Sequence, residues 1–252
     1  MAFVPELRAA AQDGVGFLVD EGARDAGVLV AFGNRRGGVS RPPYRGLNLA
    51  LRGGDDRDDV IENRSRAAFG ARFNLSSLAM ARQVHGAAVI EVSPGQTGVL
   101  GVADVLVSRA PGPVLGILTA DCAPVVIAGA RGVAVVHAGW RGLVAGAVET
   151  GIEQVDPVWA AWIGPCIHGC CYEVGPEVLE AFAGRDLPTG PARVDPARAA
   201  EHILRRSGVD AVSVAAECTH CEADYFSHRR DGVTGRQGAF AGLLSAPRTE
   251  LR

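Results

Sequence analysis

Between Thr119 and Gly142 the chain reads TADCAPVVIAGARGVAVVHAGWRG, two apolar runs separated by a glycine-bounded turn. Runs of this composition predict β-strands over Pro124–Ala128 and Val133–Val136, joined as a hairpin. Cys122 stands just before the first strand and His137 ends the second. A two-residue loop at Gly129-Ala130 sets Cys122 opposite His137. A four-residue loop over Gly129–Gly132 makes the pair diagonal on one face, and a three-residue loop would separate them. Opposed side chains have Cβ atoms about 5 Å apart, close enough to hold one ion between them.

The rest of the chain can be arranged around that pair. Gly139-Trp140-Arg141-Gly142 turns from the second strand into a helical pattern over Leu143–Val155. Free N–H groups at such a turn, together with the Arg141 guanidinium, make an anion site. Upstream, Arg82-Gln83-Val84-His85-Gly86 places a second histidine ahead of the apolar run Ala87–Val92. One cysteine and two histidines form a donor set typical of zinc, with a fourth position open. On the residues alone two other readings stay open. Cys122 could be a small buried hydrophobe beside satisfied histidines, or a nucleophile deprotonated by His137 or His85.

Composition narrows the chemistry. All 25 basic residues are arginine, which excludes a Schiff-base lysine, a P-loop lysine and a lysine general base. A formal charge of −3 makes no electrostatic case for nucleic acid. No apolar run reaches membrane-spanning length, and no signal peptide is evident, so a cytoplasmic location is expected. There Cys166, Cys170, Cys171, Cys218 and Cys221 should be reduced. Their first group lacks the C-x-x-C spacing of a four-thiolate zinc site, so they are expected to be free thiols without metal.

Further strands are expected over Gly27–Phe32, Val102–Val107, Val114–Leu118, Val158–Ile163 and Val209–Ala215, with a loop through Val39–Ala50. Helices are expected over Val60–Phe69, from Pro176 to Phe182, and from Asp195-Pro196 to near Gly208. Asn63 and Arg64 fall on the first of these, on what reads as a solvated face. The tail after Glu217 reads as polar loop with a short apolar finish. Strands that follow one another directly favour an α/β (mixed α+β) fold, with mixed β-sheets covered by outer helices in a single domain over residues 1–252.

The blocks RQVHG, TADC.PV, VVHAGWRG, IGPCI..CCYEVG and FSHRRDGVTGR occur in this order. Together with GNRRGGVSRPPYRGLNLALRGGDD, they resemble the laccase-domain family, also called polyphenol oxidases, purine nucleoside phosphorylases or peptidoglycan editing factors. The resemblance implies zinc ligands at His85, Cys122 and His137, and copper at such a two-histidine, one-cysteine site is chemically reasonable. It implies phosphorolysis of adenosine, inosine, guanosine and methylthioadenosine, with deamination of adenosine. The implied partners are therefore purine nucleosides and phosphate, with no nucleic acid or membrane. Some members are instead assigned to releasing L-Ser from a UDP-muramoyl cell-wall precursor, and a non-enzymatic zinc-stabilised interaction module is a third expectation. Asp121, beside a ligand at a strand end, is a catalytic candidate with Cys122. Gln83, Arg64, Arg141 and Arg229 lie within family blocks and are candidates for binding substrate or phosphate. A multicopper oxidase needs roughly ten histidines in H-x-H pairs. This chain has six histidines and no H-x-H.

Overall fold

The computed structural model describes residues 3–245. The strands in its first half are β1 (Arg8–Gln12), β2 (Val15–Val19), β3 (Val28–Gly33), β4 (Leu78–Arg82), β5 (Val89–Glu91), β6 (Gly98–Val102) and β7 (Val105–Ser108). Then come β8 (Val114–Thr119), β9 (Ala123–Gly129), β10 (Gly132–Ala138), β11 (Val158–Ile163), β12 (Val212–Val214) and β13 (Gln237–Leu243). The helices are α1 (Glu21–Asp25), α2 (Arg57–Gly70), α3 (Trp140–Ala145), α4 (Ala147–Val155), α5 (Pro176–Ala183), α6 (Pro196–Arg206) and α7 (His228–Asp231). Seven strands form one mixed sheet in the order β1-β2-β3-β13-β8-β4-β6, and six form a second in the order β12-β11-β9-β10-β7-β5. The expected mixed sheets with outer helices are found.

The central hairpin explains the layering. In β9 the side chains alternate between two apolar clusters, Val125 and Ile127 on one face, Val126 and Ala128 on the other. The second face meets Val30, Phe32 and Ile117 of the other sheet. The first packs on Val148 and Ile152 of α4 and Ile203 of α6. The far side of the seven-stranded sheet is covered by Ala67 of α2 and by Leu47 and Leu49 of the preceding loop. A strand buried on both faces reads as a continuous apolar run. Each fully buried Val or Ile is worth about 1.5–3 kcal/mol over leaving it exposed.

The helices begin where the sequence provides caps. Asp56 accepts the amides of Asp58 and Asp59 at the start of α2, and Asp195 accepts that of Arg198 in front of Pro196. Four expectations are corrected. The stretch 102–107 is not one strand, because β6 ends at Val102 and Asp104 separates it from β7. The helical pattern Leu143–Val155 begins three residues earlier and breaks at Gly146, whose φ of +87° ends α3. The apolar finish of the tail is β13, which sits between β3 and β8 in the interior of its sheet. Asn63 is not on a solvated face. It is fully buried, donating to Ser40 Oγ, Gly46 O and Asn48 O and accepting the amide of Val39. It thereby ties the irregular segment 39–48 to α2.

Candidate active site

The hairpin register is His137 opposite Pro124 and Val133 opposite Ala128. This is the diagonal arrangement, so Cys122 and His137 share a face, and continuing the register sets Cys122 against Gly139. That pairing needs glycine. A Cβ at residue 139 would lie 2.8 Å from Cys122 Sγ and 2.9 Å from His85 Cδ2. The two imidazoles meet edge-on with centroids 4.7 Å apart. Donor atoms of His85, Cys122 and His137 all lie within 4.8 Å of one another. His85 is exposed, Cys122 half-buried and His137 buried, so the cluster opens to solvent on one side. A soft thiolate, two imidazoles and a cradle kept clear by Gly139 fit a zinc-sized ion with one position open.

Asp104 holds this arrangement and was not anticipated. Its carboxylate is fully buried and accepts His137 Nδ1 at 2.8 Å. It also takes three consecutive amides, those of Val84, His85 and Gly86. Those three N–H groups can converge because His85 adopts φ +61°, a left-handed conformation rare outside glycine. One carboxylate thus fixes the ring of one histidine and the backbone of the other. With Nδ1–H engaged, His137 presents Nε2 to the cluster, the usual carboxylate–histidine–metal pattern. Burial alone would raise the Asp104 carboxyl, but His137 and the amides hold it below the ordinary range. The signal was available in the sequence, since a carboxylate inside VADVLV needs several buried partners.

The ionisable groups are strongly coupled. Burial pushes the Cys122 thiol up, but the charge of His137 and hydrogen bonds from both imidazoles outweigh it and hold it at about 6. Burial would lower His137, whereas the Cys122 thiolate and Asp104 raise it to about 9. Without metal the pair is therefore a thiolate beside an imidazolium at neutral pH, a state that a cation displaces by taking the proton's place.

The other anticipated residues are distributed around this centre. Asp121, next to Cys122, has φ +98° and a carboxylate accepting Thr219 Oγ1 at 2.8 Å and the Arg229 amide at 2.7 Å. Gln83 bridges β4 to β8 through both backbone groups of Leu118. Arg64 donates twice to Leu49 O, and Leu49 in turn donates to Arg236 O. Arg141 is exposed, its guanidinium 4.2 Å above the Trp140 ring. Arg229 lies 4.9 Å over the Tyr172 ring and donates to Glu173 O. Trp140, Arg141, Tyr172, Glu173 and Arg229 line an open groove of about 450 Å³. Arg236 was overlooked. It is half-buried, and burial lowers its guanidinium pKa, while Cys122 and Asp121 lie close enough to favour its charge. Among the described residues, Arg141, Arg229 and Arg236 have no carboxylate partner within ion-pair distance.

The remaining cysteines are thiols, as expected. All six are unbridged, but four are not independent. Cys170, Cys171, Cys218 and Cys221 have sulfurs within 4.8 Å of one another, while Cys166 is buried apart with its thiol pushed up. Spacing alone does not reveal this grouping, because adjacent residues on one loop meet a C-x-x-C turn on another.

The chain resembles known proteins over most of its length. A family model described as multi-copper polyphenol oxidoreductase laccase matches residues 29–244. The chain is 37% identical to purine nucleoside phosphorylase YfiH of Escherichia coli over 90% of its own length and 98% of that protein's. It is 35% identical to adenosine deaminase RL5, from an unknown prokaryotic organism, over 88% of its own length and 95% of that protein's. The crystal structure of YlmD from Geobacillus stearothermophilus superimposes with a TM-score of 0.86 at 32% identity, covering 96% of this chain and all of that one.

Proposed function

The chain belongs to the multi-copper polyphenol oxidoreductase laccase family, and from that membership we propose that it is a zinc-dependent purine nucleoside enzyme. It cleaves adenosine, inosine, guanosine and methylthioadenosine by phosphorolysis and deaminates adenosine. The observation that carries this reading is the convergence of His85, Cys122 and His137 beside a groove edged by arginines without carboxylate partners. Relatives named for purine nucleoside phosphorolysis and for adenosine deamination support it.

In this reading His85, Cys122 and His137 hold the ion, which supplies Lewis acidity at an open coordination position. Asp104 keeps the proton on His137 Nδ1 and so keeps Nε2 available. Arg141 and Arg236 hold phosphate by charge-assisted hydrogen bonds. Trp140 and Tyr172 give the groove aromatic walls of the kind a purine packs against. Asp121 is a positioning residue, seating Arg229 and Thr219 through both carboxylate oxygens. Phenol oxidation by a multicopper centre is not favoured, because the only histidines among the described donor clusters are His85 and His137.

The test is incubation of the purified protein with adenosine, with and without phosphate. Adenine and ribose 1-phosphate should form only with phosphate, and inosine in either case. Untouched nucleosides with release of L-Ser from a UDP-muramoyl precursor would assign the chain to cell-wall editing instead. No turnover of either would leave the interaction module.

A further inference from the structure

Cys170 and Cys171 lie on the connection from β11 to α5, and Cys218 and Cys221 on that from β12 to α7. The two connections are joined at the backbone by a bridge between Cys166 and Cys218 and by the Thr219 amide donating to Cys166 O at 2.9 Å. Beyond that bridge the four thiols converge. Cys170 Sγ lies 3.7 Å from both Cys218 Sγ and Cys221 Sγ and 3.4 Å from Cys171 Sγ, and Cys171 Sγ lies 3.0 Å from Cys221 Sγ. From these contacts we propose that Cys170, Cys171, Cys218 and Cys221 form a second, closed metal site, a tetrathiolate that takes zinc.

Two of the four distances, at 3.7 Å, match the coordination geometry, and the Cys170–Cys171 and Cys171–Cys221 distances are shorter than it requires. Four sulfurs at about 2.3 Å from one ion, arranged tetrahedrally, stand about 3.8 Å apart. Disulfide chemistry would sort the sulfurs into two pairs. Here Cys171 Sγ lies nearest Cys221 Sγ, but Cys170 Sγ touches all three of the others, so the four sulfurs form one cluster rather than two separate pairs. Neighbouring groups suit a centre bearing net negative charge. The His168 amide donates to Cys218 Sγ at 3.4 Å, and the Arg193 guanidinium, which pairs with Glu173 at 2.6 Å and donates to Cys170 O at 2.9 Å, also lies beside Cys170 and Cys171. Binding releases the thiol protons to solvent as the four sulfurs become ligands. With all four positions taken by protein, the site has none for substrate and acts as a staple.

The staple has something to hold. Tyr172 follows Cys171 directly, and Thr219 lies between the two ligands of the other loop. Thr219 reaches Asp121, which also seats the Arg229 amide. The second site therefore fastens the Tyr172 and Arg229 wall of the groove to the strand end bearing Cys122.

The test is metal analysis of the full chain purified under reducing conditions with zinc supplied. Wild type should hold two zinc ions per chain, and Cys122→Ala and Cys171→Ser/Cys221→Ser one each. Because the double variant could misfold, cobalt loading of Cys122→Ala provides an independent readout. It should give the intense visible and thiolate charge-transfer bands of a tetrahedral four-sulfur site, abolished by zinc. One zinc per wild-type chain, unaffected by Cys171→Ser/Cys221→Ser, would overturn the proposal. So would Cys122→Ala lacking those cobalt bands, or disulfides among the four cysteines in reduced protein.

Discussion

Asp104 Oδ1 and His137 Nδ1 lie 2.8 Å apart in the interior, and the Asp104 backbone carbonyl accepts the His137 amide at the same distance. Two contacts thus join the start of β7 to the end of β10, where the second imidazole of the donor cluster stands. Asp104→Asn keeps the shape but removes the charge and turns one amide nitrogen toward donors. Zinc affinity of the His85/Cys122/His137 site should fall about ten- to a hundredfold, as measured by competition with a chromophoric chelator. Unchanged affinity would show that Asp104 serves only the local fold.

Gly139→Ala should evict the metal while sparing the fold. Its Cβ would sit within 3 Å of both Cys122 and His85, and only the cluster side chains have to move. Metal content should drop to that of Cys122→Ala, with the circular dichroism spectrum retained. Full metal occupancy in this variant would remove Gly139 from the account.

In the metal-free protein, pH dependence follows from the coupled pair. Cys122 ionises at about 6 in the folded chain against an ordinary 9.0, so its contribution is full above 9.0 and lost as pH falls through 6. His137 is raised from 6.5 to about 9, so its contribution is full below 6.5 and lost as pH rises through 9. Between those limits the folded chain carries one proton on His137 and the unfolded chain one on Cys122. The two slopes cancel. The unfolding free-energy difference between metal-free wild type and metal-free Cys122→Ser/His137→Gln should therefore be flat across this range in urea titrations. A slope near about 1.4 kcal/mol per pH unit would mean that only one of the two groups is shifted.

Arg141 carries an exposed guanidinium with an aromatic ring as its partner and no carboxylate within ion-pair distance. If it holds phosphate, Arg141→Ala removes a charge-assisted contact worth about 1.5–3 kcal/mol, which is about ten- to a hundredfold in the KM for phosphate. Deamination, which needs no phosphate, should change far less. Initial rates of phosphorolysis against phosphate concentration, with deamination measured alongside, decide it. An unchanged phosphate KM would assign that role to Arg236 or Arg229.

The parts of this site legible in the sequence were those whose chemistry is local. Cys122 and His137 flank one hairpin, so strand periodicity alone limited them to one face or opposite faces, and ligand type suggested His85. A lone carboxylate inside an apolar run signals that Asp104 has buried partners but not which they are, because they lie 18 to 33 residues away. The four-cysteine cluster was hidden because spacing rules describe ligands from one turn, whereas these come from loops about 50 residues apart. Asn63 reads as a polar helix face until the segment 39–48 folds over it. The last strand, QGAFAGL, is rich in glycine and alanine, and only its two flanking strands make it a strand.

On this account the His85/Cys122/His137 cluster binds the ion on which nucleoside turnover depends. That dependence is tested most directly by adding zinc to chelator-stripped protein while following adenosine phosphorolysis, in wild type and in Cys122→Ala. Activity should be absent from stripped wild type, return as zinc is added, and never appear in Cys122→Ala at the same zinc concentrations. Equal phosphorolysis by the two proteins, or full activity of the stripped wild type, would contradict it.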